Sequence, residues 1–302
     1  MATTVQTTVE RTSESPHLRV GERFRDLVAH REILLNLIRK ELKVKYAASV
    51  LGAVWSLLNP IVFLIVFSFV VKVLGNDIPN YPVYLLSGLL AWNLFSAALT
   101  TGARSVLDNA NLVKKVAFPR EILPLSSIGV ALVDYVLQLA VLLVVILMFG
   151  YGIHVPEIAL FPLAFVTLLS VTLALTFWLA ALNVRYRDVG HLLNIAILVW
   201  FWATPIVYPG YLVQQHIQDT PWLWAAYFLN PLASIIGGMQ RALYGVVMPL
   251  GGQPPKPVGV LFDVSLGWLA GVMAIVLVAS LVALYFTWSY YFTRSGDFAE
   301  EL

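Results

Sequence analysis

Long apolar runs alternate with short polar connections along this chain, and six of the runs approach the length a helix needs to cross a hydrocarbon core of roughly 30 Å, about 20 mostly apolar residues. They lie near Leu57 to Leu74, Val83 to Thr101, Ile122 to Phe149, Ala159 to Leu182, Leu192 to Tyr208 and Val264 to Tyr291. Pro60 and Pro162 fall near the starts of their runs and Pro205 near an end, where a missing N–H does least harm. The pattern predicts an all-α integral membrane protein with six transmembrane helices.

A different period precedes the first span. Phe24, Leu27, Val28, Leu34, Leu35, Ile38 and Leu42 recur at three- and four-residue spacing, with Asn36, Arg39, Lys40 and Lys43 opposite. This predicts an amphipathic helix over residues 21–46 whose basic face suits the headgroup plane, where apolar burial and attraction to anionic membrane lipid act together. Such a helix can simply anchor the first span. Alternatively, Arg39, Lys43, Lys45 and Tyr46 meet the phosphate of a lipid-linked substrate at the inner leaflet. Residues 1–20, rich in Thr, Ser and Glu, hold no apolar core and read as a disordered cytosolic tail, neither signal peptide nor span. Residues 47–302 then form the six-span domain.

One stretch resists this scheme. Trp222 to Met248 is apolar enough to cross once, but Asn230, Pro231, Gln240 and Arg241 would each be costly in hydrocarbon, and Trp222, Trp224 and Tyr227 are interfacial residue types. The expectation is a re-entrant pair of short helices between spans five and six, bent at Pro231.

Composition agrees with the pattern: 59% of the 302 residues are hydrophobic and only 12% charged, against about a quarter charged in soluble domains. A formal charge of +2 is too small to imply a nucleic-acid partner. Its distribution is informative instead. Nine Lys and Arg residues precede the first span, Arg104, Lys114, Lys115 and Arg120 lie between spans two and three, and Arg185 and Arg187 follow span four. The opposite connections are nearly free of basic residues, which predicts cytoplasmic termini.

Several chemistries are excluded or weakened. No cysteine occurs, so disulfides, thiolate metal sites and thiol nucleophiles are absent. There is no phosphate-binding G-x-x-x-x-G-K-[ST] loop, and the five His residues are scattered. No cofactor, metal or catalytic residue is expected in this chain. A membrane-embedded transferase would need clustered acids or a His beside a nucleophile, and none stands out.

Four features bear on function. The polar connection SVLDNANLVKKVAFPREILP, Ser105 to Pro124, predicts a short helix near 105–118. Asp108 or Asn109 would cap it, Lys114 and Lys115 suit its carboxyl end, and Pro119 stops it. Asp134 is the one acid deep within a span, and its burial cost demands a partner; a structural hydrogen bond or a proton relay would each satisfy it. Aromatics are abundant, and Trp55, Phe63, Phe67, Trp92, Trp200 and Trp202 are candidates to line a channel and stack on sugar rings. Gly267 and Gly271 form a small-xxx-small pair suited to close helix approach, within one subunit or between two.

Three runs carry a resemblance: RKELKVKYAASVLGAVWSLLNP from Arg39 to Pro60, NLVKKVAFPREILPLS from Asn111 to Ser126, and NVRYRDVGHLL from Asn183 to Leu193 followed by TPIVYP from Thr204 to Pro209. In these the chain resembles the permease subunits of type-2 ABC exporters that move O-antigen, teichoic acid or mycobacterial galactan. The resemblance implies a homodimer in the bacterial inner membrane, two copies of a cytosolic ABC subunit that binds ATP and Mg, and a lipid-linked polysaccharide as cargo. By the same resemblance Asn109, Asn111, Leu112, Lys114, Lys115, Phe118, Arg120 and Glu121 form the coupling helix to the ATPase, and the helix before the first span guides the diphosphate headgroup. The competing expectation is an ion-coupled secondary transporter using Asp134.

Overall fold

The computed structural model describes residues 20–46, 52, 55–73, 78–148, 155–245 and 260–302, and every regular element among them is helical. The tail at residues 1–19, the side chain of Trp55 and the end of the 222–248 stretch lie outside the described residues.

Among the described residues four helices are long and apolar enough to cross a membrane: α4 (Tyr81–Asp108), α6 (Ile122–Met148), α7 (Leu160–Arg185, entered through a short 3-10 turn at Glu157–Ala159) and α12 (Leu266–Ser295). Two shorter apolar helices accompany them, α3 (Trp55–Val73) and α8 (Val189–Trp202). α4 is the axis of the bundle. Of its most apolar window 78% is buried, against 17% for α12, so the first is core and the second periphery. α4 lies against α6 on one side and α7 on the other, and α7 also carries α12. α4 and α7 pack closely at Gly102, where a Cβ would clash with the Thr176 methyl. Only the absence of a side chain lets the two backbones meet there. The outward faces of α6 and α12 are apolar, with Leu147, Met148, Ile275 and Phe286 well exposed. That polarity suits a hydrocarbon surround, and the chain is a multi-pass membrane protein.

Several sequence expectations are refined. The amphipathic helix is two helices, α1 (Val20–Ala29) and α2 (Arg31–Tyr46), separated by a turn at His30. Where the sequence predicts a fifth span from Leu192 to Tyr208, the helix is α8, which ends at Trp202. Pro205 removes a donor and pushes Thr204 away from helical geometry, so the backbone from Thr204 to Pro209 leaves the helix. The 222–248 stretch contains α10 (Pro221–Tyr227) and α11 (Pro231–Leu243), preceded by α9 (Gly210–Ile217). Pro231 is the first residue of α11, where its missing N–H costs nothing, and the Asn230 side chain caps the helix by accepting from the Leu232 amide at 3.1 Å. Ten of the thirteen residues of α11 are buried, wedged against α4 and α7. Among the described residues, a Cβ at Gly267 or Gly271 would meet nothing within 4 Å.

The irregular 204–209 segment keeps its carbonyls satisfied by borrowed donors. Tyr81 donates its hydroxyl to Val207 at 3.0 Å, Tyr84 to Tyr208 at 2.7 Å, and the Gln240 amide reaches Pro205 at 3.1 Å. Non-helical backbone at membrane depth persists only where protein supplies such partners.

Candidate functional site

Two regions concentrate polar chemistry. The first lies where α4 gives way to α5 (Ala110–Lys115) and the chain returns through Glu121 into α6. Residues 105–108 belong to α4, so the predicted 105–118 helix is only its middle part. Asn109 holds the N-cap position, but its side chain does not cap: the amide donates backward to the Ser105 carbonyl at 2.9 Å, and its backbone carbonyl accepts from Leu112 and Val113. Asn111, Lys114 and Lys115 are exposed, Leu112 and Phe118 are half-buried, and Val113 is buried in a cluster with Leu37, Ile122, Phe177 and Tyr291. α5 therefore presents a basic outer face from a fixed apolar seat. Arg120 donates to the Gly296 carbonyl at 3.3 Å, and its own carbonyl accepts from Tyr291 at 2.9 Å.

Glu121 behaves differently from its neighbours. It is fully buried, and Arg23 of α1 grips it with two parallel bonds of 2.7 and 2.8 Å, while the Trp288 indole approaches at 3.4 Å. Arg23 also pairs with Asp26 at 2.6 Å and lies over the Phe292 ring at 4.8 Å. Burial opposes the Arg23 charge, yet the bond and charge of Glu121 outweigh it and leave the guanidinium pKa raised. A planar fork against a carboxylate is the strongest geometry such a pair can adopt. Glu121 thus fastens α1 to the start of α6. Its side chain has no outward face.

The second region is a cavity of about 440 Å³ among α3, α4, α6 and α8, reached by the end of α2. Its lining includes Asn59, Asn93, Asp134 and Gln138, with Lys45 and Tyr46 of α2. Asp134 lies twelve residues into α6, about 18 Å along the helix axis. It accepts from Lys45 at 2.6 Å and from the Tyr46 hydroxyl. The partner that its burial demands comes from the helix before the first span. Sequence reasoning looked only in the neighbouring spans, and only the tertiary path of α2 along α6 reveals it. That path is also marked by Ser126, which donates to Glu41 at 3.1 Å, and by Gly129, where Ile38 leaves no room for a Cβ. Burial lowers the Lys45 pKa, but Asp134 and Tyr46 more than offset this and raise it. Asn93 donates to Gln138 at 3.2 Å across the cavity wall.

The predicted substrate-contacting set therefore divides. Lys45 and Tyr46 belong to the cavity with Asp134, whereas Arg39 and Lys43 remain on the exposed side of α2. The aromatic candidates also divide. Phe63 and Phe67 of α3 pair at 5.7 Å, and Phe67 meets Trp202 of α8 edge-on at 6.3 Å. Trp92 is buried in α4, and Trp200 donates its indole N–H to Asn230 at 2.8 Å. Phe201, absent from the sequence-derived set, joins three of them. Its ring touches those of Phe63, Trp92 and Trp202 at 5.9, 5.4 and 5.5 Å.

Known proteins place this geometry. The profile of the family described as ABC-2 type transporter matches residues 33–244, from within α2 to the end of α11. The chain belongs to the ABC-2 type transporter family. The cavity residues, α5, Glu121 and the aromatic seam fall inside the matched part, whereas Arg23, which grips Glu121, lies before it. Among similar proteins, the O-antigen export system permease protein RfbA of Myxococcus xanthus is 35% identical over 226 residues, covering 74% of this ABC-2 chain and 85% of the relative. Two RfbA permease proteins of Klebsiella pneumoniae are 30% and 29% identical over 206 residues, covering 68% of this chain and 77% of each. The ABC-2 chain is in this light a transport subunit rather than an enzyme.

Proposed function

We propose that this protein is the permease subunit of an ATP-driven exporter of a lipid-linked polysaccharide in the bacterial inner membrane, with both termini cytoplasmic. The observation that carries the reading is the match to O-antigen export permeases over roughly three-quarters of the chain. Two copies of the chain pair, and two copies of a separate ABC subunit bind ATP and Mg and dock against α5. The six apolar helices, with α3 and α8 included, are the spans; α10 and α11 form the re-entrant pair at the outer face; α1 and α2 are the interface helices.

The division of labour follows from side-chain placement. Lys114 and Lys115 offer an outward charge for the ATPase, while buried Val113 transmits any displacement of α5 into the base of α4, α7 and α12. Arg39 and Lys43, exposed on α2, meet the diphosphate headgroup of the carrier lipid. The rings of Phe63, Phe67 and Trp202 border the route between the two copies, where flat faces bind sugars with little preference.

Co-expression with the adjacent ABC subunit and purification through this chain is the direct test. An ATPase that co-purifies in equal amount and drives glycan export in vesicles is the expected result; a well-folded permease that captures none overturns the reading. Replacing Lys114 and Lys115 together by Glu is expected to reduce that co-purification at least severalfold while leaving the thermal stability of the isolated permease unchanged.

A further inference from the structure

The cavity beside Asp134 has a chemistry that the transport reading does not use. We infer that it is a binding site for a neutral sugar ring, recognised through its hydroxyl groups, and distinct from the place where the lipid diphosphate sits. The inference rests on the proposed export of a glycan and specifies where one of its sugar units is held.

Four observations lead there. The space of about 440 Å³ falls within the roughly 300–1,000 Å³ of small-ligand pockets. Its charges cancel: Lys45 and Asp134 are paired at 2.6 Å. A diphosphate arriving there would have to take Lys45 from Asp134 and leave a carboxylate beside its own negative charge. A neutral ligand incurs no such cost.

The hydrogen-bonding sense of the wall is the third observation. Thr100 donates its hydroxyl proton to the Ser96 carbonyl at 2.8 Å, and Ser96 leans on the Asn93 carbonyl at 3.4 Å. With their protons turned into α4, both hydroxyls face the cavity as acceptors. The Asp134 carboxylate adds acceptor capacity beyond the two bonds it already receives. Sugar hydroxyls donate to such a wall. A fully ionised phosphate has no proton to give to these acceptors.

The fourth is placement. Asn93, Asp134 and Gln138 sit deep in apolar helices, where polar groups are expensive and mark substrate paths. Tyr46 and Tyr135 belong to the same lining.

The chain contains no cysteine, so Ser96→Cys creates a single reporter thiol in the wall. The permease–ATPase complex carrying this substitution is treated with a small water-soluble thiol reagent. Labelling is timed alone, with a panel of free hexoses and N-acetylhexosamines at up to about 100 mM, and with inorganic pyrophosphate, because a few hydrogen bonds alone give millimolar affinity. The expected result is that at least one sugar slows labelling severalfold, pyrophosphate does not, and Asn93→Ala or Gln138→Leu in a complex that still assembles removes the protection. Equal protection by pyrophosphate, a thiol that never reacts, or no protection by any sugar in a complex whose unsubstituted form exports glycan would each overturn the inference. Protection by a sugar without any ATP-driven export by the unsubstituted complex would uphold the pocket and overturn the export reading instead.

Discussion

At the scale of single residues, two carboxylates carry much of the architecture. Glu121 is fully buried and held by the Arg23 fork. Removing one member of a buried pair strands the other, at a cost of about 3 kcal/mol. Arg23→Ala is therefore expected to lower the melting temperature of the purified permease and expose α1 to proteolysis. Arg23→Lys should recover only part of the loss, because an ammonium cannot bond both oxygens in parallel. Glu41 is the second. Burial raises its pKa above the ordinary 4.5, against the opposing effects of the Ser126 bond and Lys40. A raised carboxyl pKa contributes stability that is full below 4.5 and fades as pH rises through the folded value. Docking of α2 on α6 is thus expected to tighten as pH falls toward that range, read as slower amide exchange in α2, and Glu41→Gln should flatten the dependence. Sequence pattern identified Asp134 as needing a partner through its burial cost. It could not name Lys45 and Tyr46, nor the buried tie of Glu121, because both depend on how α1 and α2 travel past α6, and no periodicity encodes that path.

At the scale of elements, the apolar runs and their approximate limits were legible because lipid imposes a length on each span. The exceptions are instructive. The helix of the predicted fifth span stops at Trp202, since Pro205 and Pro209 disrupt it and the freed carbonyls are taken up by Tyr81, Tyr84 and Gln240. Those donors come from α4 and α11, over a hundred residues before and some thirty after, so the local sequence could not announce them. Tyr84→Phe would leave the Tyr208 carbonyl unpaired among buried groups and is expected to cost about 1–2 kcal/mol of stability, measured by thermal unfolding in detergent. The break of the amphipathic helix at His30 was equally hidden. Its hydrophobic period runs on through the turn, and the two halves differ only in what they touch: α1 meets Glu121, α2 meets α6.

For the molecule as a whole, composition and the three recognisable runs pointed to a membrane permease, and the family match across residues 33–244 agrees. The cavity was not legible. Its residues lie on five helices, and Asn59, Asn93, Asp134 and Gln138 each alone read as an isolated exception in an apolar run. The attachment of the paired amino-terminal helices gives the assembly a mechanical character. At one end they are secured by a pair whose carboxylate never meets water; at the other they rest on Lys45, whose side chain is 45% exposed. Dissolved ions screen an exposed pair readily and a buried one hardly at all. Raising ionic strength should therefore speed amide exchange at the carboxyl end of α2 while leaving the Arg23 end of α1 unchanged. The pair of helices then behaves as a door, hinged where Arg23 grips Glu121 and latched where Lys45 meets Asp134, whose rate of opening is set by the weaker of its two fastenings.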